Sequence, residues 1–104
     1  MEFGLKDHVL LKLREVFSSF PEIDEVVIYG SRALGTFREG SDIDISLKGD
    51  LSFEDLLQIE KRLDDLMLPY MINVSIFEKL SNKNFVDHIN RAGKSFYVKE
   101  KVEK

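Results

Sequence analysis

Residues 30–44 read Gly30-Ser31-Arg32-Ala33-Leu34-Gly35-Thr36-Phe37-Arg38-Glu39-Gly40-Ser41-Asp42-Ile43-Asp44. The run that leads into this stretch, Glu25-Val26-Val27-Ile28-Tyr29, is short, apolar and β-branched, and predicts a central strand covered on both faces. The run that leaves it, Asp42-Ile43-Asp44-Ile45-Ser46-Leu47, alternates, so Ile43, Ile45 and Leu47 face one way and Asp42, Asp44 and Ser46 the other. A strand that ends in Gly-Ser and a strand that opens on two aspartates are thus joined by a short connection.

Each part of that junction has a physical task. Gly30 removes a side chain where the backbone must turn and a ligand can approach. Ser31 opens a short helical turn whose free N–H groups and positive dipole end attract phosphate. Asp42 and Asp44, two residues apart on one strand face, lie about 7 Å apart along the chain, within reach of one Mg²⁺ or a pair. Two buried like charges call for a cation, and hard oxygen ligands suit magnesium better than zinc.

Working outward, Leu5, Val9, Leu10, Leu13, Val16, Phe17 and Phe20 recur at helical spacing, which predicts an amphipathic helix over residues 4–19 stopped by Pro21. Ser52 is placed to cap a second helix that carries Phe53, Leu56, Leu57, Ile59, Leu63, Leu66 and Met67, closed by Pro69. Residues 70–77 alternate as a further strand, and Ser81-Asn82 precede a last helix ended by Gly93. Phe96-Tyr97-Val98 offer a short terminal strand, and Lys99 to Lys104 read as a frayed tail. This order implies an α/β (α+β) fold: helices on a small mixed sheet of at least three strands.

A chain of 104 residues supports one domain, here residues 1–104, and excludes two. With 43% hydrophobic residues and two prolines it is neither a disordered nor a collagen-like composition. The lack of cysteine removes disulfides, thiolate metal sites and cysteine nucleophiles. No leader or bilayer-spanning run is visible, which places the expected location in the cytoplasm, without a membrane partner. A formal net charge of −4 makes nucleic acid a poor partner for the whole molecule, yet a local phosphate site needs only a few donors and a metal.

Gly-Ser in an α/β turn and Asp-x-Asp at a strand start are each commonplace; their combination is far more specific. Gly30-Ser31, ten intervening residues and Asp42-x-Asp44 resemble the signature of the DNA polymerase beta-like nucleotidyltransferase superfamily, and Gly-Ser-Arg-Ala-x-Gly with Ser-Asp-x-Asp looks most like its minimal, MNT-type members. The resemblance implies Mg²⁺-dependent binding of a nucleoside triphosphate such as ATP and transfer of its monophosphate to an acceptor hydroxyl. It assigns the β- and γ-phosphates to Gly30 and Ser31 and the metal to Asp42 and Asp44. Arg32 is either a neutraliser of phosphate charge or a solvated loop charge, and Ser41 either fixes the loop or donates to a phosphate.

The pattern departs from the family at one place. Many active members carry a third carboxylate on the following strand, where this chain has Asn73; an amide brings no charge and is a poor general base. The alternative is a shifted register in which Glu78 or another acid serves. Tyr29, Tyr70, Tyr97, His8 and His88 read as packing or boundary residues. At this length an acceptor-binding partner is implied, in a homo- or hetero-oligomer. The resemblance points to a HEPN-type toxin, whose tyrosine such antitoxins modify with AMP. The competing expectations are a catalytically weak module that silences the partner by contact and, less compatible with the short chain, a small-molecule transferase.

Overall fold

The computed structural model describes residues 1–100. Its elements in chain order are α1 (Asp7–Ser18), β1 (Ile23–Tyr29), α2 (Ser31–Leu34), β2 (Ile43–Gly49), α3 (Phe53–Asp64), β3 (Ile72–Ile76), a single 3-10 turn (Phe77–Lys79), α4 (Lys83–Ala92) and β4 (Lys94–Val98). The strands form one mixed sheet in the order β3-β2-β1-β4. β1 lies antiparallel to both β2 and β4, whereas β2 and β3 run parallel, with α3 as the crossover a parallel pair requires. The expected small mixed sheet flanked by helices is the fold observed.

The period-2 pattern of β2 sorts as expected: Ile43, Ile45 and Leu47 enter the main core beside Val26, Ile28, Leu13 and Phe17. That core lies under α1 and α3, which also contact each other. α4 contacts β1, where Gly93 at the end of α4 meets Val27. A Cβ at Gly93 would collide with the Ile89 carbonyl and with Val27, and its φ of −71° is ordinary, so this glycine serves close approach and not a left-handed cap. The consecutive burial of Val26, Val27 and Ile28 matches a strand covered on both faces.

Helix ends follow local chemistry. Ser52 Oγ accepts from the Asp55 N–H at 3.1 Å while the Asp55 carboxylate accepts from the Ser52 N–H at 2.9 Å, a capping box that starts α3 where the sequence places it. Asn82 Oδ1 likewise caps α4, accepting from Asn84 N–H and Phe85 N–H. The first helix begins at Asp7 and not at residue 4, because Phe3 and Gly4 turn with positive φ. α3 ends at Asp64, ahead of Pro69: Met67 has a φ of 55° and is 86% exposed, so it is not part of the buried helical stripe. The strand expected over residues 70–77 is shorter, since Phe77 already enters the 3-10 turn.

The terminal strand is longer than Phe96-Tyr97-Val98 and pairs with β1. Lys99 is not frayed: its N–H donates to Asp24 O and its Nζ to Pro21 O, both at 2.8 Å. The rest of the expected tail, residues 101–104, lies outside the described residues. Among the described residues no helix is long and apolar enough to cross a membrane.

Candidate functional site

Strand register builds the site. Tyr29 is paired with Asp44 across the antiparallel β1–β2 ladder, and Asp44 with Asn73 across the parallel β2–β3 ladder, so the three side chains form one row over adjacent strands. Two residues along on the same face, Val27, Ser46 and Ser75 form the next row. Ser75 Oγ donates to the fully buried Ser46 Oγ at 3.0 Å, which satisfies a hydroxyl under the site.

Asn73 closes the row onto both acids. Its Nδ2 donates to Asp44 Oδ1 at 2.8 Å and to Asp42 Oδ2 at 3.3 Å, which brings the two carboxylates to one amide. The register sets Asn73 opposite Asp44, whereas Glu78 accepts from the Gly49 N–H at the other end of β2. Among the described residues no group of three potential acidic or histidine ligands is present. The picture of two buried charges is corrected as well, since Asp42 is exposed and Asp44 only half-buried.

The Gly-Ser corner faces the same carboxylate. Gly30 has a φ of 74°, which disfavours any side chain, and a Cβ there would collide with Asp44 Oδ2. Glycine is needed at this position for two reasons at once, backbone conformation and the space taken by Asp44. Ser31 then begins the one-turn helix α2, whose N-terminus carries no side-chain cap. Gly35 ends that turn in the left-handed conformation.

Arg32 is buried, which sets aside the solvated alternative. It is 3% exposed, and each of its three nitrogens donates to a carbonyl. Nε and Nη2 bond Ser41 O at 3.1 and 2.8 Å, and Nη1 bonds Phe3 O at 2.9 Å. The Phe37 and Tyr70 rings lie within cation–π range, at 5.4 and 5.0 Å from its guanidinium carbon. Among the described residues no carboxylate pairs with it. A guanidinium so engaged ties the N-terminal segment to the loop that delivers Asp42. Ser41 Oγ accepts from the Arg38 N–H at 2.8 Å within the same loop.

Below the acids, Tyr29 packs edge-on against Phe85 and His88, with ring centroids 5.4 and 6.3 Å away. Its phenol is held above the ordinary tyrosine value, first because burial disfavours the phenolate and then because Asp44 adds a like charge; Ser75 opposes the shift. Sequence reasoning treated His88 and Ser75 as background. The available signal was spacing, since Phe85, His88 and Ile89 recur at i, i+3 and i+4 and share one face of α4. A cavity of about 820 Å³ adjoins α2, lined by Phe3, Gly4, Arg32, Leu34 and Phe37 among others, and the two acids with Asn73 lie outside it on an open shelf.

The fold has counterparts. No curated protein sequence matches the chain. Among solved structures, a toxin-antitoxin crystallised with AMP-PNP is 17% identical at a TM-score of 0.71, with 88% of this chain and 74% of that one covered. A doubly substituted form of the toxin-antitoxin MntA-HpeT is 14% identical at a TM-score of 0.66, covering 92% and 75%. A complex of a tri-AMPylated Shewanella oneidensis HEPN toxin with its MNT antitoxin is 16% identical at 0.57, covering 88% and 68%. At these identities the likeness is one of fold. The profile of the family described as Polymerase beta, Nucleotidyltransferase matches residues 11–102, nearly the whole sequence and all of the elements that build the site. The chain belongs to that nucleotidyltransferase family.

Proposed function

We propose that residues 1–104 act as a single nucleotidyltransferase unit that moves AMP from ATP to a protein hydroxyl, a tyrosine of a HEPN-type partner, and so serves as an antitoxin in the cytoplasm. The observation that supports this most is that Gly30, Asp42 and Asp44 converge: the carboxylate of Asp44 lies over Gly30 and shares the Asn73 amide with Asp42. Two carboxylates directed at one donor are also a donor set that fits Mg²⁺. Asp42 and Asp44 would hold that ion, which when bound supplies positive charge toward the triphosphate and the attacking hydroxyl.

The chain's own groups then have defined tasks. Gly30 lets the triphosphate approach the backbone, and the uncapped start of α2 at Ser31 offers N–H donors to its β- and γ-phosphates. The acceptor oxygen attacks the α-phosphorus, the bond from that phosphorus to the oxygen bridging to the β-phosphate breaks, and pyrophosphate leaves with that electron pair. The hydroxyl proton passes to solvent. Positioning and charge supply the rate.

Asn73 favours a second reading, in which the same site binds nucleotide and partner with little turnover, since an amide replaces a charged ligand. One incubation separates the two. The purified chain is mixed with a HEPN-type protein, ATP and Mg²⁺, and intact masses are recorded. Gain of one adenylyl group on a partner tyrosine supports transfer; an unmodified partner in a stable complex selects the binding module.

A further inference from the structure

We infer that Asn73 is a built-in neutral bridge that assembles the acidic pair in the absence of a divalent cation, and that it must turn away or present its carbonyl oxygen when a cation binds. The inference deepens the proposed function and rests on its reading of Asp42 and Asp44 as the cation pair. An ionised carboxylate has no proton to give, so only the NH₂ end of Asn73 can face Asp42 and Asp44 favourably. Its two N–H groups go one to each acid, which offsets part of their mutual repulsion with two charge-assisted hydrogen bonds.

Position makes the bridge hard to avoid. Asn73 is directly opposite Asp44 in a parallel ladder whose register runs from Ile43↔Ile72 to Leu47↔Ile76, so backbone pairing, and not a mobile loop, sets the amide at the acids. Among the described residues neither carboxylate is in an ion pair, and the side chains beside Asp44 in the sheet rows are uncharged: Tyr29 is a phenol, and Ser46 and Ser75 are hydroxyls. The amide is therefore the partner that the carboxylates share. An aspartate at this place would add a third negative charge on the same row, and the site would then depend on a cation to hold together.

The consequence is a trade between self-assembly and cation affinity, and it is measurable without turnover. Thermal melts of wild type, Asn73→Asp and Asn73→Ala are compared with no nucleotide, in chelator and in Mg²⁺. In chelator both variants are expected to melt below wild type, Asn73→Asp by about 5 °C or more. Mg²⁺ should restore Asn73→Asp while moving wild type little, and titration of Mn²⁺ should show Asn73→Asp binding roughly tenfold tighter or better. In the wild type the side-chain amide NMR signals of Asn73 should shift as Mg²⁺ is added.

An Asn73→Asp variant that folds only with Mg²⁺ would support the bridge. Equal melting of Asn73→Asp and wild type in chelator, with equal response to Mg²⁺, would overturn it even if ATP still binds. Conversely, a wild type that fails to bind ATP while the melts follow the expected pattern removes the proposed function and leaves the bridge standing.

Discussion

The guanidinium of Arg32 and the carbonyl of Ser41 are joined twice, through Nε at 3.1 Å and Nη2 at 2.8 Å, across a separation of nine residues. That pair of hydrogen bonds to one oxygen, with a third to Phe3 O, sets the end of the loop from which Asp42 emerges. Replacement by lysine keeps the charge and loses the planar fork. Arg32→Lys is expected to destabilise the fold by about 1–3 kcal/mol in urea unfolding, since part-buried carbonyls lose partners. It is also expected to weaken nucleotide binding at temperatures where the variant remains folded. Unchanged stability would show that the clamp carries no weight.

Gly30→Ala tests the corner between cradle and acid. The substitution places a methyl group where Asp44 Oδ2 lies, at a φ of 74°. The backbone term alone is about 1–2 kcal/mol. Because the carboxylate must move, loss of Mg²⁺-dependent ATP binding should exceed the loss of stability, as calorimetry beside a melt would read. A variant with wild-type affinity would mean that the nucleotide does not use this corner.

The acids and the amide differ in charge and so in consequence. Asp44→Ala should weaken Mg²⁺-dependent ATP binding by roughly tenfold or more, and Asn73→Ala by clearly less, because only the former removes a charged ligand. Isothermal titration of ATP in Mg²⁺ decides it. Equal affinity of wild type and Asp44→Ala would refute the site.

Tyr29 makes a pH prediction. Its phenol is raised by burial and by Asp44, so above the unfolded value of about 10 the folded chain retains a proton that the unfolded chain has released. Stability from this group is complete below that pH and declines as pH rises through the folded value. Tyr29→Phe should flatten the alkaline decline of the melting temperature relative to wild type, while the two curves run parallel below about pH 9. Parallel curves through pH 11, about one unit above the free phenol, would contradict the shift.

Much of the architecture was legible because its signals are short-range. The alternation from Asp42 to Leu47 determines which residues of β2 face the core, and Ser52 with Asp55 or Asn82 alone states where a helix starts. The Gly30-Ser31 and Asp42-x-Asp44 spacing is likewise local. Boundaries at residue 4, Met67 and Lys99 were not, because positive φ at Phe3 and Met67 and the bonds of Lys99 to Pro21 and Asp24 arise from packing that no window of sequence contains.

The sequence by itself determined the helices, the strands, the two acids and the amide at position 73, since each is a matter of residue type and period. Only the tertiary structure decided what those groups do to one another. Parallel pairing of β2 with β3 sets Asn73 on both carboxylates, and the N-terminal segment, 29 residues before Arg32, gives that arginine a carbonyl partner. Hydrogen bonds between residues distant along the chain depend on register and approach, and those exist only once the sheet has formed.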